Sequence, residues 1–518
     1  MERMSTLDAG FFFVEDENTP MHVGSVAVFD GPPPSYGDLV RLLSAKLGGV
    51  PRYRQRVRTV PLHLGRPLWA DDPHFEILYH VRHTAVPRPG GAEQLRNLAG
   101  RVLGQRLDMT KPLWEVYLVE GLADNRWALI SKVHHCMVDG VAGTDLMQLI
   151  FDTDPAAEPP EPGEWTPEEA PSTASVVAGS LQDAVSFTMQ RLGSLPPVLR
   201  RMSEAPREIL RRGTTIGTAL PGIASKLTTP RARSLNGPIG PHRRWAWTET
   251  SFDAIKGIRS SLGGTVNDVV LTAITRGFRD LLAKRGELID RLVVRSMVPV
   301  SVRRPDERGS LNNQVSAVFV DLPVAEPDPV ARLHSVRRQM DENKRINGAV
   351  DARSIIGMGD FVAPTLLALG TRAGIRTGQN LAQTVTTNVP GPRIPLYVLG
   401  RKLASLYAYV PIAAGFRISI GIFSYQHAMS MGINADFDAF PDIDVLADGI
   451  RAGVDELVEE AERKAASAVI PAPVPAPAPA AAGAAPAAKK VAKKVAKKVA
   501  KKVAKKATKR APAKPPAP

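Results

Sequence analysis

Apolar residues recur along this chain with two different spacings, and the two spacings alternate. Residues 127–133 are mostly apolar and β-compatible, which predicts a buried strand, and residues 116–119 predict a second one. Between residues 141 and 151 the apolar side chains fall at roughly helical spacing, which predicts a helix after a short turn. Because strand and helix patterns alternate in this way through the chain, the sequence predicts an α/β fold.

Two changes of composition divide the chain. Residues 152–173 are rich in Pro, Glu and Ala and show no apolar periodicity, which is typical of an exposed connector. No acidic residue follows Lys464, and about 460 residues precede that tail, which is more than one hydrophobic core ordinarily holds. We therefore expect an N-terminal domain over residues 1–151, a connector and crossover over 152–240, a C-terminal domain over 241–464 and a disordered Pro/Ala and Lys-rich tail over 465–518.

The expected crossover contains a basic amphipathic stretch. Residues 181–213 carry six arginines and three acidic residues, with apolar residues between them. Such a segment can lie on a membrane or lipid-droplet surface and admit a water-insoluble ligand. It can equally be an interdomain crossover that packs by its apolar face. The sequence leaves both interpretations open.

The strand predicted at 127–133 leads into two adjacent histidines, His134 and His135, which Asp139 and Gly140 follow. A neutral imidazole can accept a hydroxyl proton at cellular pH when a fixed geometry aims it at the reacting group. Since neighbouring side chains on a strand point to opposite faces, we expect His135 to act as a general base in a cavity and His134 to brace the loop. Asp139 either orients an imidazole or holds the turn by pairing with an arginine elsewhere.

Two other chemistries could use this motif. Cys136 adjoins His135, but adjacent side chains diverge, so we interpret Cys136 as a small packing residue rather than a nucleophile. A zinc site needs further ligands, whereas the chain has one cysteine and ten histidines and no second Cys/His cluster at ligand spacing. We therefore predict neither a metal ion nor a cofactor.

Five short motifs together resemble those of one known family. The HHxxxDG spacing at residues 134–140 resembles the active-site signature of the CoA-dependent acyltransferase superfamily, which includes chloramphenicol acetyltransferases and the condensation domains of peptide synthetases. Four more motifs make the chain similar to the bacterial wax ester synthase/diacylglycerol acyltransferase family, and these are Met21-His22-Val23-Gly24, Pro112-Leu113-Trp114, Asn267-Asp268 and Thr387-Asn388-Val389-Pro390-Gly391-Pro392. The resemblance runs from about Ser5 to about residue 460.

The resemblance implies both a fold and a reaction. The fold would be two chloramphenicol-acetyltransferase-like α/β domains with mixed sheets, meeting at a substrate tunnel with the histidines between them. The reaction would transfer a long-chain acyl group from acyl-CoA to diacylglycerol, and to fatty alcohols in wax ester synthesis. His135 would take the hydroxyl proton as the oxygen attacks the thioester, releasing an ester and free CoA. Acyl-CoA is then a substrate, and no cofactor is implied.

The remaining motifs are expected to build the pocket. Asn267 is our candidate for stabilising the oxyanion, since an amide donor aimed at developing charge contributes about 2.7 to 4 kcal/mol. The alternative is that residues 265–267 form a helix cap and first turn. We expect Trp114 to belong to the core. Asn388 is expected to cap a rigid turn after a β-like run at 384–387, and the alternative is that its side chain reaches the cleft.

The tail carries nearly all of the net charge. Residues 489–514 contain twelve lysines and Arg510, thirteen charges of a formal net +14, and the preceding chain has 53 basic and 52 acidic residues. Valines recur every four residues there. On a helix each valine would be rotated by about 40° from the one before it, so the valines would not stay on a single face. We expect electrostatic binding to an anionic membrane or lipid-droplet surface, with nucleic acid as a second candidate partner and a solvated arm as the alternative.

No apolar stretch reaches the roughly 20 residues of a membrane-spanning helix, and no signal peptide opens the chain. We therefore expect a cytoplasmic protein that associates peripherally with the inner membrane surface or with lipid inclusions. Two rival functions stay open at this point. One is a condensation-type acyltransferase with carrier-protein donors, and the other is a polyanion- or nucleic-acid-binding protein whose acyltransferase-like body is inactive.

Overall fold

The computed structural model of the chain describes residues 2–61, 64–137, 149–161, 163, 165–169, 172–180, 182, 230–301, 315–349, 382–413 and 415–469. Several predictions lie outside these described residues. They concern Asp139 of the histidine motif, most of the helix predicted at 141–151, the basic stretch 181–213 apart from Gln182, and the lysine-rich tail.

The helices whose bounds fall in the described residues are α1 (Thr6–Val14), α2 (Tyr36–Gly48), α3 (Ile77–His80), α4 (Ala92–Gly104), α5 (Phe252–Leu262), α6 (Val266–Lys284), α7 (Pro329–Ala349) and α8 (Ile443–Val469). The strands are β1 (Glu2–Arg3), β2 (His22–Asp30), β3 (Gln55–Arg58), β4 (Leu68–Asp71), β5 (Val81–Ala85), β6 (Trp114–Leu122), β7 (Arg126–His134), β8 (Asn236–Gly237), β9 (Arg243–Ser251), β10 (Val294–Ser301), β11 (Val315–Leu322), β12 (Thr384–Pro390), β13 (Tyr397–Val398), β14 (Arg401–Tyr409), β15 (Gly415–Phe416), β16 (Ile418–Tyr425) and β17 (Ala428–Asp436).

The first large sheet has six strands in the order β13-β14-β2-β7-β6-β5. Every residue of β7 after Arg126 is buried, which is why its sequence is mostly apolar instead of alternating with polar residues. Strands β5 and β6 run parallel and the other neighbours run antiparallel, so the sheet is mixed. The strands predicted at 116–119 and 127–133 are confirmed, within β6 and β7.

Apolar side chains cover both faces of this sheet. In β2, Ala27 and Phe29 share a buried cluster with α1 and α2, whereas Val26 and Val28 share another with α4. The alternation follows from strand geometry, in which neighbouring residues point to opposite faces. The second cluster also holds Trp245 of β9, so α4 and the second large sheet contribute to the same core.

The second large sheet has the order β11-β10-β12-β16-β17-β9. Its strands β10, β12 and β16 run parallel. Strand β11 pairs antiparallel with β10, β17 pairs antiparallel with β16, and β9 pairs antiparallel with β17. Buried apolar residues of α5, α6, α7 and α8 form one cluster with the strands of this sheet. Two mixed sheets with helices packed on them confirm the predicted α/β class.

Strand β14 connects the two sheets. It follows β12 of the second sheet in the chain, but it pairs with β2 of the first sheet. Its residue Ala408 lies against Gly421 of β16 and Gly432 of β17, which are register partners. A Cβ added at Gly421 would lie 3.1 Å from the Cβ of Ala408, and one added at Gly432 would lie 1.8 Å from the Ala408 carbonyl oxygen. The two glycines therefore permit a close contact between the sheets, which belong to one compact unit, Met1–Ala465.

Helix α8 is the longest helix with bounds in the described residues, and it continues five residues past 464, to Val469. None of the helices among the described residues combines the length and the apolar character that crossing a membrane demands.

Candidate active site

The two adjacent histidines lie where β7 ends and a 3₁₀ turn, His135–Met137, begins. The backbone N–H of His134 donates to the carbonyl of Leu113 at 2.9 Å, and that of His135 donates to the carbonyl of Met21 at 2.8 Å. Two further sequence motifs, one containing Leu113 and one containing Met21, thus hold the backbone of the histidine pair from both sides. The expectation that the pair terminates a buried strand is confirmed.

Trp114 belongs to the core, as predicted. Its side chain has no exposed surface, and its Nε1 donates to the carbonyl of Tyr53 at 2.8 Å. Because Trp114 follows Leu113 directly, its burial anchors the carbonyl that supports His134.

The His134 ring is fully buried and its tautomer follows from its neighbours. Nδ1 accepts a hydrogen bond from the backbone N–H of Cys136 at 3.1 Å, so it carries no proton. The proton of the neutral ring is then on Nε2, which faces Oε2 of Glu15 across 3.0 Å. His134 is therefore oriented by a contact at each of its ring nitrogens.

Glu15 follows α1 directly and is the carboxylate at this contact. Burial alone would raise its pKa, but the contact with His134, the N–H of Met21 and the guanidinium of Arg106 together lower the pKa of Glu15 to about 2. Oε2 accepts from the Met21 N–H at 3.0 Å, and Oε1 lies 3.0 Å from Nε of Arg106. The carboxylate is thus ionised at neutral pH despite its burial.

The His135 ring faces a different environment. It stacks on Phe11 of α1 with ring centroids 3.9 Å apart and an interplanar angle of 17°. Burial lowers the pKa of His135 to about 4, so the ring is neutral at cellular pH. Its Nδ1 is buried and has no hydrogen-bond partner among the described residues, and the side chain as a whole is only half-buried.

Cys136 packs in the apolar cluster between the first sheet and α1, as predicted. It is 2% exposed, and burial raises the pKa of its thiol well above the ordinary value. A buried neutral thiol is a poor nucleophile, which agrees with a packing role.

His22 belongs to a motif singled out in the sequence and is the register partner of His134 across β2 and β7. Its Nε2 donates to the carbonyl of Leu103 at 2.6 Å. Burial and the nearby charge of Lys132 lower the pKa of His22 to about 3. This histidine is therefore a neutral, enclosed group that ties β2 to α4.

The Asn267-Asp268 motif starts helix α6, which confirms the helix start predicted at 265–267. The N-cap is Thr265, whose Oγ1 accepts from the Asp268 N–H at 3.3 Å, while Oδ2 of Asp268 accepts from the Thr265 N–H at 2.7 Å. Because Thr265 and Asp268 make the capping hydrogen bonds, the side chain of Asn267 takes no part in this capping box.

Asn388 does not cap a turn, so that prediction was wrong. Strand β12 continues to Pro390 in parallel register with β16, which places Asn388 inside the strand. From there its Nδ2 donates to Oδ1 of Asn267 at 2.5 Å, across 121 positions of sequence. The structure thus brings together two motifs that the sequence could only treat separately.

Known protein families account for this set of motifs. Residues 4–270 match the wax ester synthase/diacylglycerol acyltransferase catalytic domain, and residues 311–458 match the C-terminal domain of the same family. The chain belongs to the wax ester synthase/diacylglycerol acyltransferase family. The resemblance inferred from the motifs is confirmed, and this member of the family is an acyltransferase.

Individual relatives agree with this assignment. A probable diacylglycerol O-acyltransferase of Mycobacterium tuberculosis is 34% identical over 467 residues, which cover 88% of this chain and 96% of the relative. The wax ester synthase/diacylglycerol acyltransferase of Marinobacter aquaeolei VT8 has a similar structure, with a TM-score of 0.63 at 23% identity over 89% of this chain and 100% of that one. The starter condensation domain of rhizomide synthetase shares the fold, with a TM-score of 0.51 at 14% identity over 89% and 94%.

Sequence reasoning missed two residues of this acyltransferase that contact the histidines. Glu15 and Phe11 lie four positions apart around the end of α1, and they contact His134 and His135 respectively. The three consecutive phenylalanines of α1 and the acidic residue after them were the available signal. Among the described residues, no group of three or more His, Cys, Asp or Glu side chains has the geometry to hold a metal ion.

Proposed function

We propose that this acyltransferase transfers a long-chain acyl group from acyl-CoA to the free hydroxyl of diacylglycerol, with His135 as the general base. The observation that carries the proposal is the neutral, half-buried His135 ring, stacked on Phe11 at the end of β7. A neutral imidazole can take the hydroxyl proton, and the acceptor oxygen then attacks the thioester carbonyl. The new ester bond forms, the C–S bond breaks, and CoA leaves as the protonated thiol.

A pKa of about 4 makes the resting His135 ring a weak base. Negative charge that develops on the thioester oxygen changes this, because a nearby anion stabilises the imidazolium and raises its pKa during the reaction. The same low-dielectric surroundings that lower the resting pKa strengthen that attraction. Burial therefore keeps the ring unprotonated before the reaction and allows it to take a proton when charge develops.

His134 and Glu15 support this base without contacting the acyl group in our proposal. The buried carboxylate fixes the His134 ring, and Nδ1 of that ring accepts from the N–H of Cys136 in the same turn as His135. The three consecutive residues 134–136 are therefore held as one rigid unit. Holding the base in a single geometry is a substantial part of what an active site contributes to rate.

Asn267 is the proposed oxyanion donor. Its Oδ1 is occupied by Asn388, which leaves its two N–H donors for another acceptor. It lies in the first turn of α6, where the helix dipole also favours negative charge. Removal of one such donor typically lowers kcat by about 10²–10³-fold. Asp139 lies outside the described residues. It is still proposed either to orient an imidazole or to hold the turn by pairing with an arginine.

Thiol release from a long-chain acyl-CoA, measured with and without diacylglycerol, tests the reaction. We expect acceptor-dependent release of CoA and formation of triacylglycerol, and a loss of at least about 100-fold in His135→Ala. His427→Ala is the matched control, since that histidine is 86% exposed and should leave turnover unchanged. Release at the wild-type rate in His135→Ala would remove this residue from its role.

The choice of acceptor is tested in the same assay. Diacylglycerol, a long-chain alcohol and a carrier-protein thioester donor are compared at equal concentration. We expect turnover with diacylglycerol and acyl-CoA, with the alcohol as a slower acceptor. Turnover only with a carrier-bound donor would favour a condensation-type reaction, and nucleic-acid retention without any thiol release would favour an inactive polyanion-binding protein.

We also propose that the lysine-rich tail attaches this enzyme to anionic lipid surfaces. Residues 489–514 bear thirteen positive charges, and lysines near an anionic membrane contribute about 1 kcal/mol each. A lipid acceptor is concentrated at such a surface, so tethering would raise its local concentration. Deletion of residues 489–518 should abolish flotation with vesicles of phosphatidylglycerol and leave turnover on detergent-dispersed substrate intact. Undiminished flotation of the truncated chain would contradict the tethering role.

A further inference from the structure

We propose that Asn388 is a positioning residue that sets the orientation of the Asn267 side-chain amide, an inference that rests on the proposed role of Asn267 as oxyanion donor. An asparagine amide presents an acceptor oxygen at one end and two N–H donors at the other. Only one of its two flipped orientations directs donors toward a developing negative charge. Asn388 occupies the oxygen end and thereby selects that orientation.

The contact itself is short and specific. Nδ2 of Asn388 donates to Oδ1 of Asn267 at 2.5 Å, below the usual 2.7–3.2 Å of an N–H···O bond. Rotation of the Asn267 amide by 180° would bring its N–H groups against the N–H groups of Asn388. Two donors at that distance repel each other, so the orientation of one amide depends on that of the other.

Both side chains are mounted on rigid elements. Asn267 lies between Thr265 and Asp268, whose mutual hydrogen bonds form the capping box at the start of α6. Asn388 lies in β12, between two residues that also pair with β16, and its own register partner is Ile422. Because neither backbone is in a loop, the hydrogen bond between the amides is expected to hold a fixed geometry.

The pair lies near the boundary between the two sheets. Val389, the residue after Asn388, is the register partner of Phe423. Phe423 packs against the apolar cluster that contains Cys136 and Met137, the two residues after His135. Asn267 and Asn388 are both half-buried, so each can contact the other and still reach a bound substrate.

Asn388 could either orient the Asn267 amide or only fill space beside it. Substitutions at Asn388 that differ in hydrogen bonding distinguish these two roles. Asn388→Asp replaces the donor with an acceptor of nearly the same size. The new carboxylate would attract the N–H groups of Asn267 and turn its oxygen toward the site of the developing charge. We expect kcat to fall as far as in Asn267→Ala, about 10²-fold or more, with KM for acyl-CoA within about twofold. Asn388→Ala removes the constraint without reversing it and should lower kcat by about tenfold.

The experiment measures kcat and KM by thiol release for Asn267→Ala, Asn388→Asp, Asn388→Ala and the double variant Asn267→Ala/Asn388→Asp, with a melting temperature for each. If Asn388 acts through Asn267, the double variant has the kcat of Asn267→Ala alone. The matched control is Asn343→Asp, whose amide donates to the carbonyl of Phe319 in a solvent-exposed contact and should keep full activity.

Two outcomes overturn different claims. If Asn267→Ala is impaired while both Asn388 variants keep the wild-type kcat, or if the losses multiply in the double variant, Asn388 does not act through Asn267. If Asn267→Ala itself turns over at the wild-type rate, the proposed oxyanion role of Asn267 is wrong. Should Asn388→Asp fail to fold, Asn388→Ala and its combination with Asn267→Ala decide the same question.

Discussion

Oε2 of Glu15 lies 3.0 Å from Nε2 of His134, and the two side chains are 2% and 0% exposed. The carboxylate follows the last residue of α1, and the imidazole is the last residue of β7. Phe11, four positions before Glu15, stacks on His135 in the same region. The end of α1 therefore contacts both histidines of the motif, one through a charge and one through an aromatic face.

Glu15→Gln should lower kcat by about 10- to 100-fold with little change in KM, because small displacements of a catalytic group are costly. The amide keeps the size of the side chain and removes the charge that faces Nε2 of His134. Glu17→Gln, two positions further on and exposed, is the matched control and should behave as wild type. The measurement is thiol release, accompanied by a melting curve. Full activity of Glu15→Gln would show that the charge has no part in positioning.

The pH dependence of kcat/KM should reflect the low pKa of His135. Protonation removes the base, so activity falls as pH decreases through the pKa of the free enzyme. Since burial lowers that pKa to about 4, the acidic limb is expected near pH 4 and not near 6.5. Initial rates are taken from pH 3.5 to 8 after the folded range has been established by fluorescence. An acidic limb centred at 6.5 would mean that the His135 ring is solvated and not buried.

The sequence alone was sufficient to predict the strands that hold the histidines and to identify the family. β7 is buried on both faces, so its apolar run stands out, and the helix start at Thr265 follows from local capping chemistry. These features depend on neighbours within a few positions. They can therefore be recognised without knowing the fold.

The contacts that support the site could not be predicted in the same way. Glu15 and His134 are far apart in sequence, as are Asn267 and Asn388. Only tertiary packing brings the end of α1 to the end of β7, and the start of α6 to β12. The error at Asn388 has this origin. The Pro-Gly-Pro that follows favours a turn locally, but parallel pairing with β16 extends the strand to Pro390.

The stability of the fold should fall on mild acidification because the buried His22 and His80 and the half-buried His135 are all neutral. Burial lowers the pKa of His22 to about 3 and those of His80 and His135 to about 4, all from 6.5. The unfolded chain therefore takes up protons first as pH falls, so this contribution is complete above about pH 6.5 and is progressively lost toward pH 4 to 3. Urea unfolding at several pH values should show a free energy of unfolding that decreases over this window.

His80→Phe tests that explanation at a residue away from the histidine pair. His80 is 1% exposed and stacks between Phe75 and Trp114, so phenylalanine keeps the ring packing. When the free energy of unfolding is plotted against pH, loss of one titrating group should reduce its slope near pH 5 by up to about 1.36 kcal/mol per pH unit. Leu78→Ala, which replaces an exposed and non-titrating residue of the same short helix, should leave the slope as it is. An unchanged slope in His80→Phe would show that His80 does not contribute.

Gly432→Ala should destabilise the protein strongly, because this glycine permits the contact between the two sheets. A Cβ there would lie 1.8 Å from the carbonyl oxygen of Ala408, and backbone on both sides must move to relieve the clash. Overpacking of this kind costs about 1–3 kcal/mol or more. Gly257→Ala is the matched control, since no atom of the described residues lies within 4 Å of a Cβ there. Alanine within helix α5 should stabilise the protein by up to about 1 kcal/mol. Equal melting temperatures for the two variants would mean that the sheets are not in contact at Ala408.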